Sequence, residues 1–373
     1  MPTTTRAAVL TSAPGEWSIE TLEADDPRRG EIVVQMAAAG LCHSDDHVAK
    51  GDMVVDHPMC GGHEGAGVVV GVGPDTAGYA LGDHVVFSFV PTCGRCRWCA
   101  QGRQNLCDLG AHALAGARYD DPGSYRMSWS GVPVGQMCGV GTFSEFTTVA
   151  VNSAVKIPED VPLTSACLLG CAVGTGWGSA VRVARVEPGD VVVVMGIGGI
   201  GINAVQGAAM AGASHVLAVD PVELKRTTAA RLGATATFTG MAEATAVARE
   251  LTNGQGADAV VVTVGVTGPD HVAAAVDGVR KGGVVVVTGI GPVAPTMLPI
   301  NLAEFTLTEK RLVGALYGGC RPTSDIPHLA ALYRTGQLEL DGLVTRRYQL
   351  SEINKAYQEL LAGDLVRGIV EFG

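Results

Sequence analysis

From about residue 173 onward, short valine-rich runs alternate with segments of helix length: DVVVVMG then GINAVQGAAMAGA, HVLAVD then ELKRTTAARLGA, ADAVVVTVG then DHVAAAVDGVRK, and finally GGVVVVTGI. A strand that is apolar on both sides is buried on both faces, and helix-length connections favour parallel neighbours. The alternation therefore predicts an α/β fold, a doubly wound parallel sheet with helices on both faces. Within it, the strand Val191–Met195 runs into Gly196-Ile-Gly198-Gly199-Ile-Gly201 and straight on into an apolar helix. The first glycine permits a tight turn, the second lets backbone N–H groups approach a pyrophosphate, and the third allows close helix–strand packing. The helix N-terminus adds a favourable field for negative charge. In a chain with 51 glycines the pattern alone is a weak signal, and the strand and helix around it give it meaning. The next strand ends on Asp220, about where an acid grips the adenosine ribose hydroxyls of a dinucleotide. Asp220 also repels a 2′-phosphate, and Pro221-Val222 brings no arginine to welcome one. The expected cofactor is NAD rather than NADP, with Lys225 one helical turn on as a further ribose contact.

The first 170 or so residues follow another grammar. Short alternating or apolar runs (EIVVQMAAAG, GAGVVVGVG, DHVVFSFV, FTTVAVNSAV) are separated by Gly, Pro and Asp, which reads as a β-rich region. From about Cys320 the chain is mixed, with helix-like LAALYRTG and SEINKAYQELLAG and strand-like RGIVEF. At 373 residues the chain is too long for one small core, so two domains are expected. Its 17% of charged residues argue against disorder. A formal charge of -11 argues against a general affinity for nucleic acid or anionic lipid, both of which need a basic surface. The first residues lack a charged start followed by an apolar run, and no stretch is apolar for the roughly 18 residues that a membrane span requires. The expectation is a cytoplasmic protein with no membrane or nucleic-acid partner. Ten cysteines in that compartment point to metal ligation before disulfides.

Four of them are clustered. Cys93, Cys96, Cys99 and Cys107 have the spacing C-x2-C-x2-C-x7-C. Four thiolates so close can close a tetrahedral shell around Zn2+ with no position left for substrate, as a structural site requires. The loop has little apolar content of its own, so metal binding would supply much of its folding energy. An iron–sulfur cluster takes the same ligands and is the rival reading. Three further pieces each carry a soft or imidazole ligand beside glycine: Gly40-Leu-Cys42-His43-Ser44-Asp45-Asp46-His47, Gly61-Gly62-His63-Glu64-Gly65 and Gly170-Cys171. Singly each is weak, because free cysteine most often behaves as a buried hydrophobe. Together Cys42, His63 and Cys171 form a Cys2His set, which leaves a fourth zinc position open for water or an alcohol.

The ordered set G-L-C-H-S-D, G-G-H-E-G, the four-cysteine loop, G-C-x-x-x-T-G and the strand–glycine–helix fingerprint resembles the zinc-containing medium-chain alcohol dehydrogenases, from one end of the chain to the other. CGRCRWCAQGRQNLCDLGA, MCGVGTFSEFTTV and GGIGINAVQGA look like the bacterial nicotinoprotein branch, assayed with a nitrosoaniline as acceptor. The resemblance implies a GroES-like β-rich catalytic domain from 1–172 and 320–373, holding both zinc ions. It implies a Rossmann NAD-binding domain over 173–319, and an active site in the cleft between the two. It implies hydride transfer from an alcohol to NAD so tightly held that it recycles on the enzyme. By matched position, Ser44 would take the hydroxyl proton and pass it through the cofactor ribose to His47 at the surface. Asp45 and Glu64 would be carboxylates behind the ligands, Asp45 orienting His63 through its second ring nitrogen. Thr175 and Arg367 match positions that touch the nicotinamide and the pyrophosphate. His43 stands where some relatives carry an arginine on the pyrophosphate, and as a neutral residue it would grip less firmly.

The resemblance also implies a homodimer or homotetramer joined through edge strands of the cofactor sheet, with Lys310–Gly318 as a candidate edge. The long loop between Cys107 and Cys138 favours the dimeric type. Cys60, Cys138, Cys167 and Cys320 are expected simply to pack, and Phe89 and Met137 to be either core or substrate contacts. Two other functions use much of the same scaffold. A glutathione- or mycothiol-dependent formaldehyde dehydrogenase would want a cationic pocket for its anionic adduct, and no such cluster is visible. A non-catalytic zinc- and NAD-binding protein would show damage at the open metal position, yet Cys42, His63, Cys171, Ser44 and His47 are all present.

Overall fold

A computed structural model of the chain describes residues 3–56, 58–291 and 294–373. It consists of two compact units, Met1–Cys171 with Arg321–Gly373, and Ala172–Cys320.

The second unit is the expected parallel sheet. Its strands lie in the order Ala236–Phe238, His215–Val219, Val191–Met195, Ala257–Val262, Val279–Val287 and Arg311–Gly314, every neighbouring pair parallel. Val192, Val193, Val194, Val260, Val261 and Val262 are all fully buried, which is why these runs read as continuous apolar stretches rather than alternating ones. The helices Gly199–Met210, Glu223–Arg231, Met241–Leu251 and Pro269–Gly278 form the crossovers. Strand order reverses between Val191–Met195 and Ala257–Val262, the topological switch point at which open α/β sheets bind ligands beyond the carboxyl ends of their strands. Two details differ from the sequence expectation. The segment read as DHVAAAVDGVRK is helical only as far as Gly278, and Val279 already pairs with Ala257 ahead of a shift in register. Ala236–Phe238 is a strand that no apolar run announced, because it is three residues long and only half-buried.

The first unit is β-rich. A small closed barrel is made from Thr3–Leu10, Ser18–Ala24, Met127–Trp129, Val132–Gln136 and Met59–Cys60. Beside it lies a seven-stranded sheet in the order Ala154–Lys156, His84–Phe87, Glu64–Val72, Glu31–Gly40, Arg367–Glu371 and Val344–Tyr348, with Phe146–Ala150 also pairing to Glu31–Gly40. Strand Glu31–Gly40 is thus flanked by a strand from the early chain and one from the last residues: Gly40 stands opposite Glu64 on one side and Ile369 on the other. That register sets up the site described next. No single helix among the described residues is long and apolar enough to cross a membrane.

Candidate active site

Strand Glu31–Gly40 delivers the first ligand. Two residues beyond Gly40, Cys42 takes an extended conformation (φ −131°, ψ 148°) as the N-cap of helix His43–Lys50. Opposite, His63 immediately precedes strand Glu64–Val72. Its predecessor Gly62 has φ +84°, and a Cβ there would lie 2.5 Å from Thr142 Oγ1 and 2.7 Å from Phe143 N, so only glycine fits. Cys171 follows Gly170, where a Cβ would lie 2.1 Å from the carbonyl oxygen of Phe87. The glycines that flank each ligand are therefore close-approach positions, which let three distant segments meet.

They do meet. One donor atom each from Cys42, His63, Glu64 and Cys171, all buried, lie within 4.8 Å of one another. His63 Nδ1 faces the Asp45 carboxylate at 3.2–3.3 Å, and Asp45 also accepts the Gly62 N–H at 2.9 Å. With Nδ1 so engaged, the other ring nitrogen, Nε2, points at the sulfurs, and it has no hydrogen-bond partner among the described residues. An orphaned, fully buried imidazole nitrogen beside two thiols is the arrangement a tetrahedral metal satisfies. The electrostatics agree. The hydrogen bond from Cys171 holds the Cys42 thiol well below its usual pKa, His63 and Arg367 adding to the effect against the opposing cost of burial. Cys171 is pushed correspondingly up by that same bond and by burial. Phe89 packs edge-on to the His63 ring at 5.9 Å, whereas Met137 is fully buried in the core cluster.

Glu64 is closer in than expected. It pairs with Arg367, across 303 residues of sequence, and its second oxygen has no partner among the described residues. Burial pushes its carboxyl up to about 7, Arg367 working against this and Cys42 with it. The pair exists because Gly40 has no side chain: a Cβ there would lie 2.2 Å from Glu64 Oε2 and 3.0 Å from Arg367 Nη2. Arg367, expected on the cofactor pyrophosphate, is only 5% exposed and spends one nitrogen on this carboxylate. A buried guanidinium requires a paired anion, and Glu64 supplies it. Ser44 Oγ lies 3.6 Å from Cys42 Sγ. His47, on the same face of the helix one turn later, is not at the surface as expected but only 5% exposed. Helix His43–Lys50 turns it inward, and its Nδ1 lies 2.9 Å from an Asp52 carboxylate oxygen. His43 is half-buried at the start of the same helix.

The four-cysteine loop is assembled in the same unit. Cys93, Cys96, Cys99 and Cys107 offer sulfurs within 4.8 Å of one another. Backbone N–H groups are donated to them, by Cys93 to Cys107 at 3.2 Å, by Cys96 to Cys93 at 3.3 Å and by Cys99 to Cys96 at 3.5 Å. N–H donors stabilise thiolate, and the Cys99 N–H is the first cause that brings the Cys96 thiol down to about 6. The other four cysteines pack as expected. Cys60, Cys138, Cys167 and Cys320 are buried, and burial pushes Cys60 up to about 12 and Cys138 to about 11.

In the parallel-sheet unit, Gly196 adopts φ +91° and a Cβ on Gly201 would lie 1.8 Å from the Gly196 carbonyl oxygen. Gly198, by contrast, faces open space, with nothing within 4 Å of an added Cβ. Gly199 opens the helix. A tight turn, a packed third glycine and an open middle one make a cradle that fits a pyrophosphate. Asp220 is 4% exposed and accepts the Ile197 N–H at 2.8 Å and the Val222 N–H at 2.9 Å. It therefore ties the glycine loop to the end of the next strand as well as offering its remaining lone pairs. Lys225 is half-buried on the following helix. Sequence reasoning passed over Arg226, whose guanidinium donates to the carbonyls of Asp220 and Pro221, both at 2.7 Å. Thr175 is buried, and its hydroxyl has no partner among the described residues.

A glycine-cradle sheet unit, together with a β-rich unit carrying one donor set of four sulfurs and another of two sulfurs and an imidazole, defines a zinc- and NAD-dependent oxidoreductase. The chain belongs to the zinc-binding alcohol dehydrogenases: residues 28–159 match the alcohol dehydrogenase GroES-like domain and residues 199–334 the zinc-binding dehydrogenase domain. It is 50% identical to an NDMA-dependent alcohol dehydrogenase from Amycolatopsis methanolica over 98% of both chains. It is 45% identical to alcohol dehydrogenase B of Mycobacterium tuberculosis, covering 99% of this chain and 98% of that one. Among solved structures, benzyl alcohol dehydrogenase from Acinetobacter calcoaceticus superposes with a TM-score of 0.92 at 28% identity over the whole of both chains. Zinc and NAD are the cofactors, and alcohols are the substrate class.

Proposed function

We propose that the chain oxidises a primary or secondary alcohol to the aldehyde or ketone, with Cys42, His63 and Cys171 holding the catalytic zinc and Cys93, Cys96, Cys99 and Cys107 a structural one. The convergence of the Cys2His donors around an orphaned His63 Nε2 carries this reading. When bound, zinc supplies Lewis acidity that eases loss of the hydroxyl proton, and NAD accepts the hydride. The chain's own residues do the rest. Asp45 holds His63 in the tautomer and orientation that aim Nε2 at the donor set. Arg367 neutralises Glu64, so that two thiolates and a carboxylate do not sit unbalanced in one buried site. Ser44 Oγ, next to Cys42 Sγ, is placed to take the hydroxyl proton, and His47, one turn on, to pass it outward. Gly196, Gly198, Gly199 and Gly201 seat the pyrophosphate, Asp220 and Lys225 the ribose, and Thr175, Arg367 and His43 complete the cofactor contacts, Arg367 with the nitrogens it does not spend on Glu64.

The 1–172 and 320–373 segments are read as the catalytic domain and 173–319 as the NAD-binding domain. NAD that stays bound and recycles, with an external acceptor reoxidising it, is the reading that the half-identical NDMA-dependent relative favours. No observation favours a thiol-adduct formaldehyde dehydrogenase. The test is an absorbance spectrum of the purified protein. Reduced-nicotinamide absorption should appear on adding a simple alcohol alone and vanish on adding a nitrosoaniline; no change without added NAD would refute retention, and none with added NAD would refute the activity.

A cytoplasmic location and a homodimer or homotetramer belong to the same proposal. Among the described residues, strand Arg311–Gly314 pairs on one side only, and Met297, Leu302 and Leu307 are 91%, 70% and 84% exposed. An open strand edge and exposed apolar side chains in one unit are features that a second copy covers. Light scattering should give two or four times the 38.2 kDa chain mass; a monomer would contradict it.

A further inference from the structure

His47 is a relay residue without a surface of its own. Its side chain is only 7% exposed, and the group at its Nδ1 is a carboxylate 55% exposed to solvent. The local fold makes that contact. Helix His43–Lys50 stops at Gly51, which takes the left-handed conformation (φ 82°, ψ 12°) and donates its N–H to Val48. The chain then doubles back, Met53 N–H donating to the His47 carbonyl at 3.1 Å, so that Asp52 reaches the ring five residues behind it. The neighbouring Asp46 is not equivalent, because its carboxylate is taken by Lys50 at 2.7 Å.

We propose that Asp52 is a positioning residue of the proton relay: its carboxylate fixes His47 as the Nδ1–H tautomer, which makes Nε2 the basic nitrogen that receives the proton. The proposal rests on the relay role given to His47 above. A neutral imidazole has one donor and one acceptor nitrogen, and the partner of one decides the state of the other. A carboxylate oxygen accepts, so Nδ1 donates to it, and a neutral ring held in this way keeps Nε2 as its acceptor nitrogen. In the step itself, one O–H bond on the Ser44 side breaks and one N–H bond forms at Nε2. The proton then leaves to water, which breaks one ring N–H bond, forms one O–H bond on the water and returns the ring to its neutral state.

The test uses the full-length, cofactor-loaded protein with 15N-labelled histidine, the His47 signals being assigned by their loss in His47→Gln. In the parent protein the His47 ring should show the Nδ1–H pattern, and Asp52→Ala should convert it to the Nε2–H or an exchanging pattern. Single-turnover reduction of the bound cofactor by alcohol should slow about tenfold in Asp52→Ala, with the KM for alcohol changed less than about twofold. Asp52→Asn, whose carboxamide oxygen still accepts from Nδ1, should recover most of the rate. Because Asp52 is half-exposed, both variants should keep the parent melting temperature. A parent-like tautomer in Asp52→Ala, or a changed tautomer with an unchanged rate, would overturn the proposal while His47→Gln stayed slow. A His47→Gln enzyme as fast as the parent would instead overturn the relay reading beneath it.

Discussion

Cys42→Ala is expected to lower alcohol turnover by at least about 100-fold, since a metal's stabilisation of transition-state charge is worth several kcal/mol and each 1.36 kcal/mol is a decade in rate. The loss should come with little unfolding. Cys42 caps helix His43–Lys50 through its backbone conformation and makes no side-chain cap hydrogen bond, so removing the sulfur leaves the helix start intact. What it removes is one of two sulfurs that, with His63 Nε2, define the donor set, and Glu64 cannot fully replace it while Arg367 holds one of its oxygens. Steady-state turnover and thermal melting on the same preparations check this. Turnover within about twofold of the parent would refute the assignment of Cys42.

The second large effect is expected in the glycine loop, where two substitutions of the same size should behave differently. Gly201→Ala forces a Cβ to 1.8 Å from the Gly196 carbonyl, so the backbone must move, at a cost of about 1–3 kcal/mol in stability and with loss of the pyrophosphate seat. Gly198→Ala meets nothing within 4 Å and should fold as the parent does. Its methyl nevertheless occupies the space through which backbone N–H groups approach the phosphates, so NAD affinity should fall about tenfold or more. Melting curves and NAD titrations of both variants separate the two mechanisms. Equal NAD affinity in Gly198→Ala and the parent would show that the cofactor lies elsewhere.

The two units differed in how much of them the sequence betrayed. Runs such as VVVVM and AVVV announced themselves because strands buried on both faces carry no polar alternation, and a parallel sheet needs helices between them. Ala236–Phe238 lacked any such signal, and the early start of strand Val279–Val287 was hidden by its polar residues Arg280 and Lys281. In the site, Cys42, His63, Cys171 and the four-cysteine loop stood out because sulfur and imidazole beside glycine have few other uses in such spacing. The partners of those groups did not. Glu64 and Arg367 are neighbours only because three strands place Gly40 between them, a fact of sheet register rather than of local sequence. Asp52 reads as an ordinary turn acid until Gly51 folds it back onto His47. The burial of His47 follows from how its helix packs, which no pattern of eight residues encodes.

The most direct test of two separate zinc sites, one of them Cys2His, is a zinc count by elemental analysis on the parent and two variants. The parent should hold two zinc ions per chain, Cys42→Ala one, and Cys96→Ala one. Two ions retained in Cys42→Ala, or a parent that holds only one, would contradict the convergence of Cys42, His63 and Cys171 on a single metal.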